Sequence, residues 1–257
     1  MQFFVEYEKG LVSVLAHNIQ IGSSGTQFDY VTQGGQDILF PFERLNVGAV
    51  INDNHRVSFL YQPLEKNTVV PFESTVTIDG KDFVGTPTDP VSMELKYGFP
   101  FWRVTYSYKV LDKKDFTLAV GAALQIRNAS IIFKAVDGSE VSVSQNVGPF
   151  PALHIYSMWK TPIGVNLTAD ITGLYASSAL INGANFEFEG SILDASLRAS
   201  YELKNSVDIF ANVRFLGGTS KGTSSYDGSN WSVSSNDDRF SQNNLATLST
   251  TLGLTIR

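Results

Sequence analysis

Residues 165–175 read V-N-L-T-A-D-I-T-G-L-Y. Its odd-numbered positions are apolar from Val165 to Ile171, whereas Asn166 and Asp170 lie among the polar positions between them. Because successive side chains of a β-strand point to opposite faces, the stretch predicts a strand with one apolar and one polar face. The polar face holds a full charge and the apolar face holds none. That asymmetry is typical of a membrane-spanning β-barrel, in which the uncharged face lies against lipid.

The same two-sided pattern recurs about ten times along the chain. In a second clear copy, Asp194 and Arg198 alternate with Leu193 and Leu197. We expect strands over residues 11–31, 42–51, 56–64, 92–110, 116–133, 152–160, 165–175, 186–203, 207–216 and 245–257. The predicted fold is therefore all-β, a closed antiparallel up-and-down transmembrane β-barrel of about ten strands, with eight to twelve compatible with the pattern.

The first predicted strand has a competing interpretation. Leu11, Leu15 and Ile19 fit helical spacing as well as strand spacing, so residues 1–21 form either a strand or a short helix or plug. With a strand here the count is even, and both chain ends lie on the same side of the membrane. With a helix or plug, roughly eight or nine strands remain beside an insert.

Two kinds of connection alternate along the chain. Tight polar turns are predicted at residues 52–54, 112–115, 161–164 and 204–206, and longer excursions at 33–40, 65–90, 133–148, 177–185 and 217–243. Short periplasmic turns and long extracellular loops are typical of outer-membrane barrels, so we expect that location. The excursions at 75–82 and 135–143 keep alternation on both sides of Asp79-Gly80 and Asp137-Gly138, so we expect hairpins that project beyond the bilayer.

Composition excludes several classes of protein. The 257 residues carry a net charge of −6 and no cysteine, so we expect one domain over residues 1–257 without disulfides or thiolate metal sites. No apolar run approaches the roughly 18 residues that a membrane-spanning helix needs. The acidic balance and the lack of a basic stripe argue against nucleic acid as a partner. The chain opens without the features of a signal peptide, so we expect a mature form of an exported protein.

Aromatic residues lie near both kinds of connection. Those near short turns are Tyr108, Phe116, Trp159 and Tyr201, and those near long loops are Phe42, Tyr61, Phe99, Phe101, Tyr175, Phe188 and Phe215. Amphipathic rings favour the two headgroup zones of a bilayer, so we interpret these sets as two belts. The alternative is that aromatic residues are simply good strand formers.

Several stretches of the sequence are similar to those of a known group of proteins. They are Phe28-Asp29-Tyr30-Val31, Gly34-Gly35-Gln36-Asp37, Leu39-Phe40-Pro41-Phe42, Tyr61-Gln62-Pro63-Leu64, residues 124–129 (LQIRNA) and residues 192–198 (ILDASLR). With these the chain resembles bacterial outer-membrane β-barrel proteins, and is similar to a poorly characterised group of them from Gram-negative bacteria. The resemblance covers nearly the whole chain and implies an integral outer-membrane barrel without implying an activity. The chain departs from such barrels at its end, where Ile256-Arg257 replaces the usual terminal aromatic residue.

Charged residues on the polar strand faces form the candidate site. The predicted lumen or solute-binding residues are Arg44, Arg103, Arg127, Arg198, Arg214, Asp170, Asp194 and His154. Cations outnumber acids there although the whole chain is acidic, which favours a constriction that binds or passes a small anionic solute. The alternative is a network of ion pairs that fills a narrow interior. A small-solute channel or binding barrel is the function that we expect.

An enzyme is the least favoured of three function classes. Of the three histidines, only His154 has a candidate partner, since Asp170 can orient it across adjacent strands, but no nucleophile stands out and Ser157 points to the opposite face. We therefore expect no catalytic residues, no metal site and no cofactor. The remaining class is a plugged barrel that binds a surface ligand or an envelope protein through its loops, with Trp231 and the hairpins near Gly80 and Gly138 as contact elements.

A soluble sheet protein also alternates polar and apolar residues. A lipocalin-like barrel or a sandwich would place Leu197 and Ile171 in its core and Arg198 on its surface. The membrane interpretation requires the reverse, with outer-membrane lipid in contact with the apolar side chains.

Overall fold

The computed structural model describes residues 1–36, 39–177, 188–204, 206–223, 232–233 and 240–257, apart from the side chains of residues 127, 145–148, 188, 204, 223, 232 and 233. The described strands are β1 (Gln2–Ile21), β2 (Phe28–Asp29), β3 (Leu39–Ile51), β4 (His55–Gln62), β5 (Glu65–Phe72), β6 (Val76–Ile78), β7 (Lys81–Phe83), β8 (Val91–Gly98), β9 (Phe101–Lys113), β10 (Phe116–Ala135), β11 (Val141–Lys160), β12 (Val165–Ser177), β13 (Phe188–Lys204), β14 (Val207–Thr223), β15 (Ser232–Val233) and β16 (Phe240–Ile256).

Ten of these strands close into a barrel. The order around it is β11, β12, β13, β14, β16, β1, β3, β4, β9 and β10, and β10 pairs again with β11. Every neighbouring pair is antiparallel, as the sequence predicts. The first and last barrel strands pair with each other, with Val5 opposite Ile256, so both chain ends lie at the same end of the barrel. No helix in the described part of the chain is long and apolar enough to cross a bilayer.

Two predicted strands differ from the structure. The first spans Gln2–Ile21 instead of residues 11–31, and it is a strand, not a helix or plug. The predicted strand at 92–110 is two strands, Val91–Gly98 and Phe101–Lys113. Pro100 lies at the break, where its missing N–H cannot extend a ladder. The other predicted strands are present, most of them longer than predicted.

Side-chain orientation distinguishes the membrane interpretation from the soluble one. Leu197 is 70 % exposed on the outer face, and Leu167 and Ile171 are also exposed there. Arg198 points into the barrel, where its Nη1 lies 3.1 Å from the Glu6 carboxylate. An outer surface of exposed aliphatic side chains is stable only against a nonpolar solvent. This orientation agrees with the membrane interpretation, and the soluble alternative, which requires Leu197 in a core and Arg198 on the surface, is wrong.

The aromatic belts are only partly as predicted. Tyr108, Phe116, Trp159 and Tyr201 are exposed on the outer face near the short turns, and Tyr61 and Tyr175 are exposed near the long loops. Phe42 and Phe101 are buried inside the barrel, which contradicts their assignment to the outer belt. Their strand positions have the parity of the lumen face, so position along a strand alone cannot assign a ring to a belt. The Phe188 side chain lies outside the described residues.

Long strands carry part of the barrel beyond the bilayer. β10 and β11 contain 20 residues each, whereas a strand needs only about 9–11 residues to cross the membrane. Their shared hairpin therefore projects on the side of the long loops, as predicted for residues 135–143.

The hairpin Val76–Phe83, formed by β6 and β7, lies across the extracellular mouth; we call it the cap hairpin. On one side the Asp79 backbone N–H donates to the Ile21 carbonyl of β1 at 3.0 Å. On the other side Lys81 Nζ donates to the Val141 carbonyl of β11. Because β1 and β11 are five positions apart in a ring of ten strands, these contacts join opposite walls.

An apolar core fills the interior beneath the cap hairpin. Its large members include Phe28, Tyr30, Phe72, Phe83, Tyr97 and Phe133, all buried. The Phe28 and Phe133 rings lie 5.0 Å apart, which links the segment after β1 to β10 on the far wall. The extracellular half of the described interior is therefore packed like a protein core.

Candidate functional site

A cluster of charged side chains occupies the barrel interior below the apolar core. Strand alternation places them there: Glu6 and Glu8 from β1, Arg44 from β3, Arg56 from β4, Arg103 from β9, His154 from β11, Asp170 from β12, Asp194 and Arg198 from β13, and Arg214 from β14. We call this set the lumen cluster. It draws on eight of the ten barrel strands, so its side chains converge from most of the wall.

Asp194 is the centre of the lumen cluster. Its Oδ1 accepts a hydrogen bond from Arg214 Nη1 at 2.6 Å, and its Oδ2 accepts one from Arg103 Nη1 at 2.8 Å. Arg44 Nη1 lies 3.5 Å from the same Oδ2. Asp194 is 1 % exposed and Arg103 is 2 % exposed. Three guanidinium groups thus share one buried carboxylate, an arrangement that is stable only while every member is present.

Glu6 and Glu8 form a second acidic centre that the sequence prediction does not include. Glu8 lies 3.4 Å from Arg214 and accepts hydrogen bonds from Asn212 Nδ2 at 2.9 Å and Thr251 Oγ1 at 2.6 Å. Glu6 pairs with Arg198. The sequence does carry the signal, because Val5-Glu6-Tyr7-Glu8 alternates as clearly as the later strands. The predicted first strand begins too late to include it.

The structure places seven of the eight predicted lumen residues inside the barrel, and it describes no side chain for Arg127. Arg44, Arg103 and Arg214 share the Asp194 carboxylate, whereas Arg198 pairs with Glu6, which also contacts Arg56. His154 and Asp170 lie at the side of the cluster, with Nδ1 and Oδ1 3.7 Å apart. Whether any of these residues binds a solute remains a prediction.

The lumen cluster and the apolar core together occupy much of the described interior. A pore of the predicted kind needs a continuous polar passage, whereas here paired side chains span the interior from β9 to β13. A barrel of about this strand number leaves little room between side chains. The arrangement supports the alternative that the ion pairs fill a narrow interior.

Histidines occupy three different environments. His17 is fully buried, donates from Nδ1 to Gln36 Oε1 at 2.6 Å and stacks on Tyr30, which fits a structural role. His55 lies at a periplasmic turn beside Tyr106. His154 Nδ1 also contacts Thr172 Oγ1 at 3.1 Å. Among the described residues, no three histidine, aspartate or glutamate side chains are grouped as a metal ion requires.

A second candidate site is a cleft at the extracellular end. It has a volume of about 660 Å³ and lies between the cap hairpin, residues 89–92 and the turn that joins β10 to β11. Both hairpins that the sequence predicts as contact elements, near Gly80 and Gly138, border this space. We call it the surface cleft. Its size lies within the roughly 300–1,000 Å³ range of small-ligand sites.

Carboxylates dominate the rim of the surface cleft. Its charged lining residues are Asp82, Asp89, Asp137 and Glu140. Lys81 lies beside them, with Nζ 3.2 Å from Glu140 Oε1, and ties the cap hairpin to the β10–β11 turn. Hydrogen bonds from Ser139, first from its side chain and then from its backbone N–H, lower the pKa of Asp137 below its ordinary value. The cleft is therefore an anionic surface exposed to the outside.

Comparisons with known proteins support the fold alone. No family model matches the chain. No curated protein sequence matches it either. Among solved structures, the outer-membrane protease OmpT from Escherichia coli is similar with a TM-score of 0.57 and 8 % identity, over 99 % of this chain and 96 % of that one. A Pseudomonas aeruginosa FadL homologue gives 0.34 with 10 % identity, over 98 % and 88 %. The Pseudomonas putida toluene transporter TodX gives 0.32 with 10 % identity, over 98 % and 89 %.

The OmpT likeness corrects one prediction. The expectation of no enzyme rests on the lack of a visible catalytic arrangement in the sequence, yet a protease has this fold over nearly the same length. The expectation is wrong as stated, since a fold that carries an enzyme gives no ground to exclude one. The two looser likenesses have TM-scores below 0.5 and indicate nothing about function. The closed ten-stranded barrel and its exposed apolar outer surface show that the chain has the fold of bacterial outer-membrane β-barrels.

Proposed function

We propose that this barrel recognises a polycationic ligand at the cell surface, in the surface cleft. The observation that carries the proposal is the convergence of four carboxylates on one ligand-sized space between the cap hairpin and the β10–β11 turn. The proposal concerns recognition, and it applies to a receptor as well as to an enzyme that takes its substrate there.

The cleft favours ligands with several ammonium or guanidinium groups, such as a short basic peptide or a polyamine. Asp82 accepts a hydrogen bond from Thr77 Oγ1 at 2.7 Å, and Asp137 accepts one from the Ser139 N–H at 2.9 Å, so both carboxylates have defined orientations. Each still has lone pairs for a donor from a ligand. The net charge of −6 adds a long-range attraction that brings cations to the protein.

A second candidate is the binding or passage of a small anionic solute in the lumen. The excess of arginines over carboxylates inside the barrel favours it. Passage requires that both the lumen cluster and the apolar core open, whereas recognition at the surface cleft requires neither. We therefore rank surface recognition first, with docking of a basic envelope protein segment as one form of it.

The test is titration calorimetry of the purified barrel in detergent micelles with tetralysine at low salt. The variant Asp82→Asn with Asp89→Asn removes two rim charges, and we expect about tenfold weaker binding, since exposed ion pairs contribute roughly 0.2–1 kcal/mol each. The control is Asp53→Asn with Asp115→Asn, which makes the same charge change at the periplasmic turns. Equal binding by both double variants would show that tetralysine binds to net charge and not to the cleft.

A further inference from the structure

A small, partly open space lies within the lumen cluster, between β3, β4, β9, β11 and β12. Its volume is about 20 Å³, and its lining includes Arg44, Arg56, Arg103, Ser107 and Asp170. By the same measure one water molecule needs roughly 10–15 Å³. The space therefore holds one particle of about the size of a water molecule or slightly larger. We call it the arginine pocket.

Two hydrogen-bond donors of the arginine pocket have no hydrogen-bond partner among the described residues. They are Arg44 Nη1 and Ser107 Oγ, both buried, and Ser107 is 1 % exposed. The carboxylate nearest to Arg44 Nη1 is 3.5 Å away, at Asp194 Oδ2. Buried polar groups are nearly always hydrogen-bonded, so two unpaired donors beside one space indicate a bound acceptor. Asn46 Oδ1 is a third buried atom without a hydrogen bond among the described residues. Because it is an acceptor, it fits a water molecule that lies beside the ligand and donates to it.

Formal charge points to an anion as this acceptor. The described lumen cluster contains five arginines, and its carboxylates are Glu6, Glu8, Asp170 and Asp194. One positive charge is left over when the five cations are set against these four acids. An uncompensated charge in a barrel interior is strongly unfavourable, and a bound monovalent anion removes it.

We propose that the arginine pocket binds one monovalent inorganic anion of about the size of chloride. Arg44 Nη1 and Ser107 Oγ donate hydrogen bonds to it, and the Arg56 and Arg103 guanidinium groups add favourable charge. Two features set its specificity. The volume excludes sulfate and phosphate, and the Asp170 carboxylate in the lining disfavours a second negative charge on the ligand.

Bromide replaces chloride and can be located by anomalous scattering from crystals of the whole barrel. We expect one peak within hydrogen-bond distance of both Arg44 Nη1 and Ser107 Oγ. A pocket without an anomalous peak in crystals grown in bromide would mean that it holds water only, and the proposal would be wrong. Line broadening of the chloride NMR signal by the detergent-solubilised protein measures the affinity in solution.

The decisive variant is Ser107→Ala, which removes a neutral donor and leaves every ion pair of the lumen cluster in place. We expect chloride binding at least about tenfold weaker and a smaller bromide peak, because hydrogen bonds to ions are among the stronger ones. Ser196→Ala is the matched control, since Ser196 is also buried at a lumen-facing position but does not line the pocket. Equal chloride affinity in both serine variants would contradict the site.

Discussion

Arg103 and Asp194 meet inside the barrel, with Arg103 Nη1 2.8 Å from Asp194 Oδ2, although their strands lie four positions apart in a ring of ten. This contact joins nearly opposite walls. Arg103 also donates from Nε and Nη2 to Gln125 Oε1, so its guanidinium is held on two sides. One arginine and one aspartate in contact are therefore enough to bridge the interior at this level.

The first prediction concerns the stability of this contact. Asp194→Ala leaves Arg44, Arg103 and Arg214 without their shared carboxylate, so we expect the free energy of unfolding to fall by about 3–5 kcal/mol. Urea unfolding in lipid vesicles, followed by tryptophan fluorescence, measures it. Asp170→Ala is the control, because Asp170 is about one-third exposed and lies 3.7 Å from His154. Its loss should be at most about 1 kcal/mol, and a loss as large as that of Asp194→Ala would contradict the assigned roles.

The second prediction concerns the apolar outer face: the loss of stability caused by an arginine there should depend on its depth in the bilayer. Leu197 lies on the outer face in the middle of β13, whereas Leu203 lies near its periplasmic end. We expect Leu197→Arg to lower the stability of the barrel folded in vesicles by about 2–4 kcal/mol, and Leu203→Arg to lower it by about 0–1 kcal/mol. If the two arginine variants lose the same free energy, the outer face is not in contact with the centre of a bilayer.

The third prediction concerns pH and the surface cleft. Hydrogen bonds from Ser139 depress the pKa of Asp137, so its carboxylate stays charged at a pH where an ordinary aspartate, with a pKa of about 3.9, is half protonated. A depressed pKa means that the stabilising contact is present above the unfolded value and is lost as pH falls through the folded value. We expect carboxyl NMR of Asp137 to show a midpoint below the ordinary aspartate value of about 3.9. A midpoint at or above that ordinary value would contradict the contact with Ser139.

Much of the fold follows from alternation in the sequence. The period of two assigns each side chain to lipid or lumen, and it correctly predicts that Arg44, Arg198 and Arg214 lie inside the barrel. Strand ends are harder to predict, because alternation continues past the bilayer wherever strands project. The first strand is a different case, because its predicted start at residue 11 leaves out Glu6 and Glu8 although the alternation already begins at Val5.

The sites themselves could be predicted only in part. Alternation of polar and apolar residues shows which face of the sheet a residue lies on, but not which residue it contacts across the barrel. It therefore could not show that Asp194 binds both Arg103 and Arg214. The surface cleft depends on how residues 63–100 fold back over the barrel mouth. That path is fixed by contacts between distant residues, such as Lys81 with Glu140, which no local pattern encodes.

The most direct test of a closed interior is the conductance of the wild-type protein in planar bilayers, with insertion verified by resistance of the barrel to protease. Because ion pairs of the lumen cluster and the apolar core bridge the described interior, we expect no current steps above those of protein-free bilayers in concentrated potassium chloride. Reproducible ohmic channels from the folded wild-type barrel would contradict this closure.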